Sequence, residues 1–186
     1  MLPRRLRVFA GLGLMMVCAL CPLTTGVVLA GEPVPPTYRE VARVYGIPAE
    51  VLYAVATVES NLVLLSGRAR PWPWTLNVHG RGERYRTRLE TWEAIQRHLA
   101  AGRRSIDIGL MQVNWRWHED KLGNPWLALD PIHNLHVGAR ILMEQYRVSG
   151  DWLEAAGRYH SPANGRHAAR YRNLVKRHLE KRGWRS

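Results

Sequence analysis

The residue of this chain best suited to chemistry is Glu59, at the end of a strongly apolar segment. From Val51 to Val58 every residue except Thr57 is apolar or aromatic, which predicts a helix that is buried on all sides. Glu59 follows Val55 by four residues, so it lies on the same apolar line of that helix. Burial favours the neutral form of a carboxyl group, and a glutamate that keeps its proton can protonate a leaving oxygen. We therefore expect Glu59 to be a general acid rather than a solvent-exposed helix end.

The stretch Asp107–Asn114 is the second part of the chain that indicates chemistry, because it carries the motif Gly109-Leu110-Met111-Gln112. Cleavage of a glycosidic bond normally needs two carboxylates, and Asp107 is the nearest candidate for a second one. Aspartate is also a strong helix N-cap, so we interpret Asp107 as the cap of a short helix that begins near Gly109. A single carboxylate still allows such cleavage when the N-acetyl group of the sugar attacks its own anomeric carbon. The sequence therefore predicts one catalytic carboxylate.

The tryptophan content fits a sugar ligand. The chain has eight tryptophans, and a flat ring with a polar tip suits the apolar face of a pyranose. Most tryptophans in most domains belong to the core, so only Trp72, Trp74 and Trp115 are ranked first for contact with a ligand.

Other functional classes gain little support from the sequence. His133 and His136 are three residues apart on a helical segment, but no third ligand accompanies them, so we predict neither a metal ion nor a cofactor. The net charge of +12 favours an anionic neighbour, which could be nucleic acid, anionic lipid or a cell-wall polymer. The arginines of the last segment are scattered and come with no nucleic-acid motif, so we expect no nucleic-acid partner.

The first 30 residues have the pattern of a secretory signal peptide. Three arginines precede an apolar run from Val8 to Leu20 that is too short to span a bilayer comfortably, and Val28-Leu29-Ala30 resembles a cleavage site. An uncleaved anchor is the alternative, and it would be the chain's contact with a membrane. Both cysteines lie in this segment, so the mature chain has no disulfide. It keeps 24 of the 27 basic residues and all 15 acidic ones, a net charge of +9.

The elements that must position Glu59 are predicted to be mostly helical. They form one domain over residues 37–184, behind a proline-rich tether at 31–36. A capping box of Thr37 and Glu40 starts a first helix that Gly46 ends, and the Thr75–Tyr85 segment reads as a β-hairpin. Four further helices are predicted from caps and apolar spacing, at Leu89–Ala100, after Asp130, from Asp151, and after the turn at Asn164-Gly165. The fold class is therefore mostly α (α+β) with a small β-hairpin insert.

Three motifs in this order resemble a known family. They are Glu59-Ser60 at the end of an apolar helix, Gly109-Leu110-Met111-Gln112 fifty residues later, and Tyr159 after a further helix. They resemble the catalytic domain of soluble lytic transglycosylases, a relative of goose-type lysozyme, over roughly residues 38–177. The resemblance implies a lysozyme-like helical fold, a peptidoglycan substrate and Glu59 as the single general acid and base.

The resemblance also implies roles for neighbouring residues. Glu59 is expected to protonate the oxygen between N-acetylmuramic acid and N-acetylglucosamine and then to take a proton from the C6 hydroxyl, which yields a 1,6-anhydro end. Tyr159 is expected to hold or orient the acid and the sugar. His160 stands where the family usually has asparagine, and we expect it to replace a substrate hydrogen bond. The residues implied to contact the glycan lie in the three motifs or close to them: Ser60, Met111, Gln112, Asn114, Tyr159 and His160.

The segment Pro71–Asn77 resembles versions of this domain that accompany conjugation and secretion machines. The resemblance thus implies an exported enzyme of the periplasm or cell envelope that opens peptidoglycan locally, with proteins of such a machine as partners. Two alternatives stay open: a hydrolytic muramidase that uses the same Glu59, and a non-catalytic wall-binding scaffold.

Overall fold

The computed structural model describes residues 32–64, 67 and 69–184. The predicted signal peptide, residues 1–30, lies outside the described residues. In the described part the chain forms eight helices and two small antiparallel sheets, which confirms the predicted mostly helical α+β class with a β-hairpin. The helices are α1 (Pro36–Tyr45), α2 (Ala49–Ser60), α3 (Arg88–Ala100), α4 (Trp115–Leu122), α5 (Pro125–Ala128), α6 (Pro131–Ser149), α7 (Trp152–His160) and α8 (Gly165–Glu180). The strands are β1 (Asn61–Val63), β2 (Ala69–Pro71), β3 (Thr75–Val78), β4 (Arg81–Arg84), β5 (Ile106–Ile108) and β6 (Val113–Asn114).

Helix α2 lies at the centre of the core, as its apolar sequence predicts. It begins directly after Pro48, and all residues from Val51 to Thr57 are buried. It packs against α1, α8 and β2. Because its sides are enclosed, the helix cannot turn or slide to re-aim its last residues. Packing therefore fixes the backbone at Glu59.

The predicted hairpin is confirmed and belongs to a larger sheet. β3 and β4 are joined by His79 and Gly80, whose φ values of 50° and 83° are both positive, as a two-residue type I′ hairpin requires. β3 also pairs with β5, and β5 pairs with β6. This order sets Asn77 opposite Asp107 and Asp107 opposite Asn114. Strands β1, β2, β5 and β6 were not predicted, since each has only two or three residues.

Two predicted helix starts are wrong. α1 begins at Pro36, and Thr37 lies inside the helix without capping it, because a proline at the first position already has the φ that a helix needs. Asp107 is a residue of β5, and the Gly109–Gln112 segment that follows is a turn rather than a helix. The predicted stop of α1 at Gly46, with a left-handed φ of 67°, is confirmed.

The predicted caps of the C-terminal helices are confirmed. Asp130 accepts hydrogen bonds from the first-turn N–H groups of α6, and Asp151 does so for α7. Asn164 caps α8 in the same way. α7 packs closely against both α6 and α8, so these helices hold the residues at the end of α7 beside α2.

No single helix among the described residues is long and apolar enough to cross a bilayer. α1 and α2 reach that length and composition only as a pair, and they meet at a bend of 116°.

Candidate active site

Glu59 occupies the last turn of α2 and faces a groove of about 820 Å³. Only 11% of its side chain is exposed. The groove is bounded by the β3–β4 hairpin on one side and by α4, α6 and the end of α7 on the other. A carboxyl group is therefore presented to the groove from a rigid, apolar support.

The turn at residues 109–112 forms the floor of the groove beside Glu59. Gly109 has a φ of 82°, a left-handed conformation that suits glycine, and Gln112 also has a positive φ of 45°. The Ser60 hydroxyl donates a hydrogen bond of 2.8 Å to the Leu110 carbonyl oxygen, which ties the end of α2 to this turn. The Gln112 side chain donates to the carbonyl oxygens of Thr75 and Gly109. The two predicted motifs are thus brought together by direct hydrogen bonds.

Asn134, in the first turns of α6, holds the same turn from below. It is fully buried, and its Oδ1 accepts a hydrogen bond of 2.9 Å from the Met111 N–H. Its Nδ2 donates to the carbonyl oxygens of Ile108 and Ala128. Asn134 was not predicted from the sequence, although a polar residue between the apolar positions of α6 is a signal that could have revealed it.

Two tyrosines enclose Glu59 from the C-terminal helices. The Tyr159 hydroxyl donates a hydrogen bond of 2.6 Å to the Met111 carbonyl oxygen. The Tyr171 hydroxyl is buried and has no hydrogen-bond partner among the described residues. Burial, reinforced by the nearby Glu59 carboxylate, raises the pKa of both tyrosines well above 10. Both hydroxyls therefore stay protonated at physiological pH, and Tyr171 adds a hydroxyl group beside Glu59.

His160 covers Glu59 from the end of α7. Its Nδ1 lies 3.8 Å from Glu59 Oε1. Its ring stacks on Tyr171 with a centroid separation of 4.4 Å and an angle of 7° between the planes. The Glu59 carboxylate raises the pKa of His160, and partial burial opposes that rise. His160 thus contacts the candidate acid itself.

Asp107 is a second carboxylate on the wall of the groove, where its predicted role as a helix cap does not hold. Its Oδ1 accepts a hydrogen bond of 2.7 Å from Asn114 Nδ2, and its Oδ2 accepts one of 3.0 Å from Asn77 Nδ2. Burial raises the pKa of Asp107, the hydrogen bonds from Asn114 and Asn77 oppose that rise, and the Glu59 carboxylate adds to it. The β3–β5–β6 pairing brings these three residues together.

The predicted site residues divide into two groups. Glu59 and four of the predicted glycan contacts line the groove: Gln112, Asn114, Tyr159 and His160. Ser60 and Met111 are fully buried beneath it and support the floor. Their direct contact with a glycan stays a prediction.

The tryptophans ranked first for ligand contact do not line the groove. Trp115 is buried in the core. Trp72 and Trp74 pack edge to face at 5.2 Å, and Trp72 Nε1 donates to the Tyr85 carbonyl oxygen. Trp117 is the tryptophan that lines the groove, and it is strongly exposed. Counting tryptophans could not distinguish it from its neighbour at position 115.

The histidines considered as zinc ligands have other neighbours. His133 Nε2 lies 3.2 Å from the Leu122 carbonyl oxygen, and His136 Nδ1 lies 3.3 Å from the Tyr45 hydroxyl. Within the described residues no group of three histidine, cysteine, aspartate or glutamate side chains could hold a metal ion. The arrangement around Glu59 can instead donate a proton to a bound oxygen and take one back.

A model of the family described as the transglycosylase SLT domain matches residues 89–179. The match includes the floor turn, Tyr159 and His160, and it begins after Glu59, whose assignment therefore rests on the geometry above. Comparisons with curated proteins and with solved structures find no match.

Proposed function

We propose that Glu59 is the single catalytic acid and base of this chain, whose residues 89–179 match the transglycosylase SLT domain, the domain of peptidoglycan lytic transglycosylases. The substrate bond is the β-1,4 link from N-acetylmuramic acid to N-acetylglucosamine. The product is a 1,6-anhydro-N-acetylmuramic acid end. The observation that carries this proposal is the Glu59 carboxyl group, which is 11% exposed and faces the groove from the end of a buried helix.

The reaction needs one proton donor that later becomes a base. Protonated Glu59 donates its proton to the glycosidic oxygen, while the N-acetyl oxygen of the muramic sugar forms a bond to the anomeric carbon as the glycosidic bond breaks. The Glu59 carboxylate then takes the proton of the C6 hydroxyl. The C6 oxygen bonds to the anomeric carbon and displaces the N-acetyl oxygen. No water is consumed, and Glu59 ends the cycle protonated.

The groups around Glu59 suit the carboxylate that the first proton transfer leaves behind. The His160 imidazole at 3.8 Å and the buried Tyr171 hydroxyl surround the carboxylate formed after the first proton transfer. Tyr159 holds the Met111 carbonyl oxygen and so keeps the floor turn in place beside the reacting sugar. Glu59 is thus held within reach of one sugar residue, which favours repeated proton transfer at a single site.

A hydrolytic muramidase is a second candidate, because Asp107 lines the same groove. A carboxylate with a pKa raised by burial is suited to accept a proton from water. In that case water would attack the anomeric carbon, and the product would have an ordinary reducing end.

The site of action in this proposal is the bacterial cell envelope, where the enzyme opens the wall locally for a conjugation or secretion apparatus. Two sequence features support it: the signal-like pattern of the first 30 residues and the Pro71–Asn77 segment. The positive net charge suits an anionic wall polymer.

The test is mass spectrometry of the soluble products after purified peptidoglycan is incubated with the mature protein. Anhydro-muropeptides from the wild type, and none from Glu59→Gln, would support the proposal. Reducing ends that disappear in Asp107→Asn would support the muramidase. Products from Glu59→Gln at the wild-type rate would exclude Glu59 as the acid, and wall binding without products from the wild type would indicate a scaffold.

A further inference from the structure

Trp117 is a large aromatic residue exposed to solvent inside the groove. Its relative exposure is 69%, whereas Trp115, two residues earlier, is 3% exposed. Trp117 lines the same cavity as Glu59. An indole in a concave, partly polar cavity is a usual feature of a ligand site. The position of Trp117 therefore indicates a ligand contact rather than a packing role.

The local backbone holds Trp117 in this position. α4 is broken at His118, which has a non-helical φ of −136° and ψ of 25°. The start of α4 is fixed by Asn114, whose Oδ1 accepts a hydrogen bond of 3.1 Å from the Arg116 N–H and whose Nδ2 donates to Asp107. The indole is thus carried by a short helix that is anchored to the wall of the groove.

An arginine lies over the indole ring of Trp117, and the residue is still 69% exposed. The Arg116 guanidinium lies over the ring at 5.0 Å from its centroid. Such a cation stabilises the ring orientation without burying it, since most of the residue stays exposed. The uncovered part of the indole is left for a ligand in the groove.

We propose that Trp117 is a stacking platform for a pyranose ring of the glycan strand. This ring lies in the same groove as the glycosidic oxygen that Glu59 protonates. This inference rests on the proposed function and names a substrate contact of the same site. The apolar face of a pyranose matches the indole, while the polar side chains of Asn77, Gln112 and Glu144 on the same groove suit hydroxyl and N-acetyl groups. The Arg116 charge next to the ring suits a strand that carries carboxylates.

The chain provides a matched control in Trp126. It is 44% exposed on the neighbouring helix α5, and the Arg88 guanidinium lies over its ring at 4.3 Å. Trp126 therefore shares the residue type, the exposure and the stacked arginine of Trp117. It does not line the groove.

The experiment measures binding of peptide-free glycan strands from peptidoglycan by calorimetry, with all variants in a Glu59→Gln background so that the ligand is not consumed. Trp117→Ala is expected to weaken binding about tenfold, which corresponds to about 1.4 kcal/mol. Trp117→Phe should keep most of the affinity, because it keeps an aromatic face. Trp126→Ala should bind as the parent does. Equal affinity of Trp117→Ala and the parent, or an equal loss in Trp126→Ala, would overturn the proposal.

A second measurement does not depend on how well Trp117→Ala folds. Indole N–H signals are followed by NMR in the Glu59→Gln protein as glycan is added, with the Trp117 signal assigned through Trp117→Phe. A shift of the Trp117 signal with an unchanged Trp126 signal supports the platform, and an unchanged Trp117 signal overturns it.

Failure of the proposed function would look different. If the wild type releases no products but Trp117→Ala still weakens glycan binding, the catalytic proposal fails and the platform stands. If the wild type releases anhydro products with the same KM after Trp117→Ala, the platform alone fails.

Discussion

The floor and the rim of the groove are built in different ways. The floor consists of Glu59, Ser60, the turn at residues 109–112 and Asn134, and it is almost entirely withdrawn from solvent. The rim consists of the hairpin turn at His79 and Gly80, strand β4, Trp117 and His160, and it is largely exposed. The floor is fixed by packing and buried hydrogen bonds, so it can hold an acid within a fraction of an ångström. The rim has room to change its contacts with a glycan without disturbing that acid.

Glycines show how tightly the floor is packed. A Cβ at Gly138 of α6 would lie 2.5 Å from the Met111 side chain, and one at Gly109 would lie 2.6 Å from Asn134 Nδ2. On the rim, a Cβ at Gly80 or Gly82 would meet no atom within 4 Å. The floor therefore has no space for one further methyl group, whereas the rim does.

The strongest test of this contrast between floor and rim compares the stability of the Gly109→Ala variant with that of Gly82→Ala. Alanine at Gly109 would need a φ of 82° and would collide with Asn134, which three hydrogen bonds hold in place. The left-handed backbone costs roughly 1–2 kcal/mol and overpacking roughly 1–3 kcal/mol, so we expect the free energy of unfolding to fall by about 3 kcal/mol. Gly82→Ala should change it by less than about 0.5 kcal/mol.

Urea denaturation followed by circular dichroism measures both variants. Equal losses of stability at Gly109 and Gly82 would mean that Asn134 moves aside, and the floor would then be no more rigid than the rim.

Tyr159→Phe tests whether the floor matters for the reaction as well as for stability. The variant loses the 2.6 Å hydrogen bond to the Met111 carbonyl oxygen, so the free energy of unfolding should fall by about 1 kcal/mol. A floor displaced even slightly misaligns the acid, so kcat should fall roughly tenfold. Chemical denaturation and the rate of product release measure the two effects.

Tyr171→Phe is the matched control for stability only, because its hydroxyl interacts with Glu59 and its removal is not neutral for the reaction. Its hydroxyl is buried without a hydrogen-bond partner among the described residues, so its removal should leave stability equal or slightly higher. If Tyr159→Phe loses stability but keeps its kcat, the hydrogen bond supports the fold and not the alignment of Glu59.

The sequence was informative wherever local chemistry determines the structure. The apolar run ending at Glu59, the caps Asp130 and Asp151 and the hairpin over residues 75–85 each depend on neighbouring residues, and the structure confirms the elements predicted from them. The groove depends on pairing between distant segments. Asp107 lies on the wall of the groove because β5 pairs with β3. This pairing joins Asn77 and Asp107, which are 30 residues apart, and no local pattern reveals it.

The same reasoning explains the tryptophans. Trp115 and Trp117 are chemically identical and almost adjacent, but two positions apart on a helix point to roughly opposite sides, so one is buried and the other is exposed. Tyr171 lies on the buried face of α8, but its position against Glu59 depends on the packing of α8 on α2. Sequence periodicity predicts which face of a helix is buried, but it does not predict which residue of another element packs against that face.

On the rim, His160 should make the stability of the protein depend on pH. We expect this effect to be smaller than those of the Gly109 and Tyr159 substitutions. Its pKa is raised by Glu59, so the protonated form is stabilised in the folded state. When Glu59 is ionised, this stabilisation is present in full below the ordinary histidine pKa of about 6.5. It is lost as the pH rises through the raised pKa that His160 has in the folded state. Since 47% of the His160 side chain is exposed, solvent screens the pair, and the effect should stay below about 1 kcal/mol.

A double-mutant cycle of His160→Asn and Glu59→Gln isolates this pair from other effects of either substitution. The coupling free energy, from thermal unfolding at about pH 6 and about pH 9, should be measurable at the lower pH and vanish at the higher one. A coupling that is the same at both values would show that His160 acts on Glu59 through packing on Tyr171 and not through its charge. The exposed rim would then hold the acid as rigidly as the floor does, and the contrast between the two regions would fail at this residue.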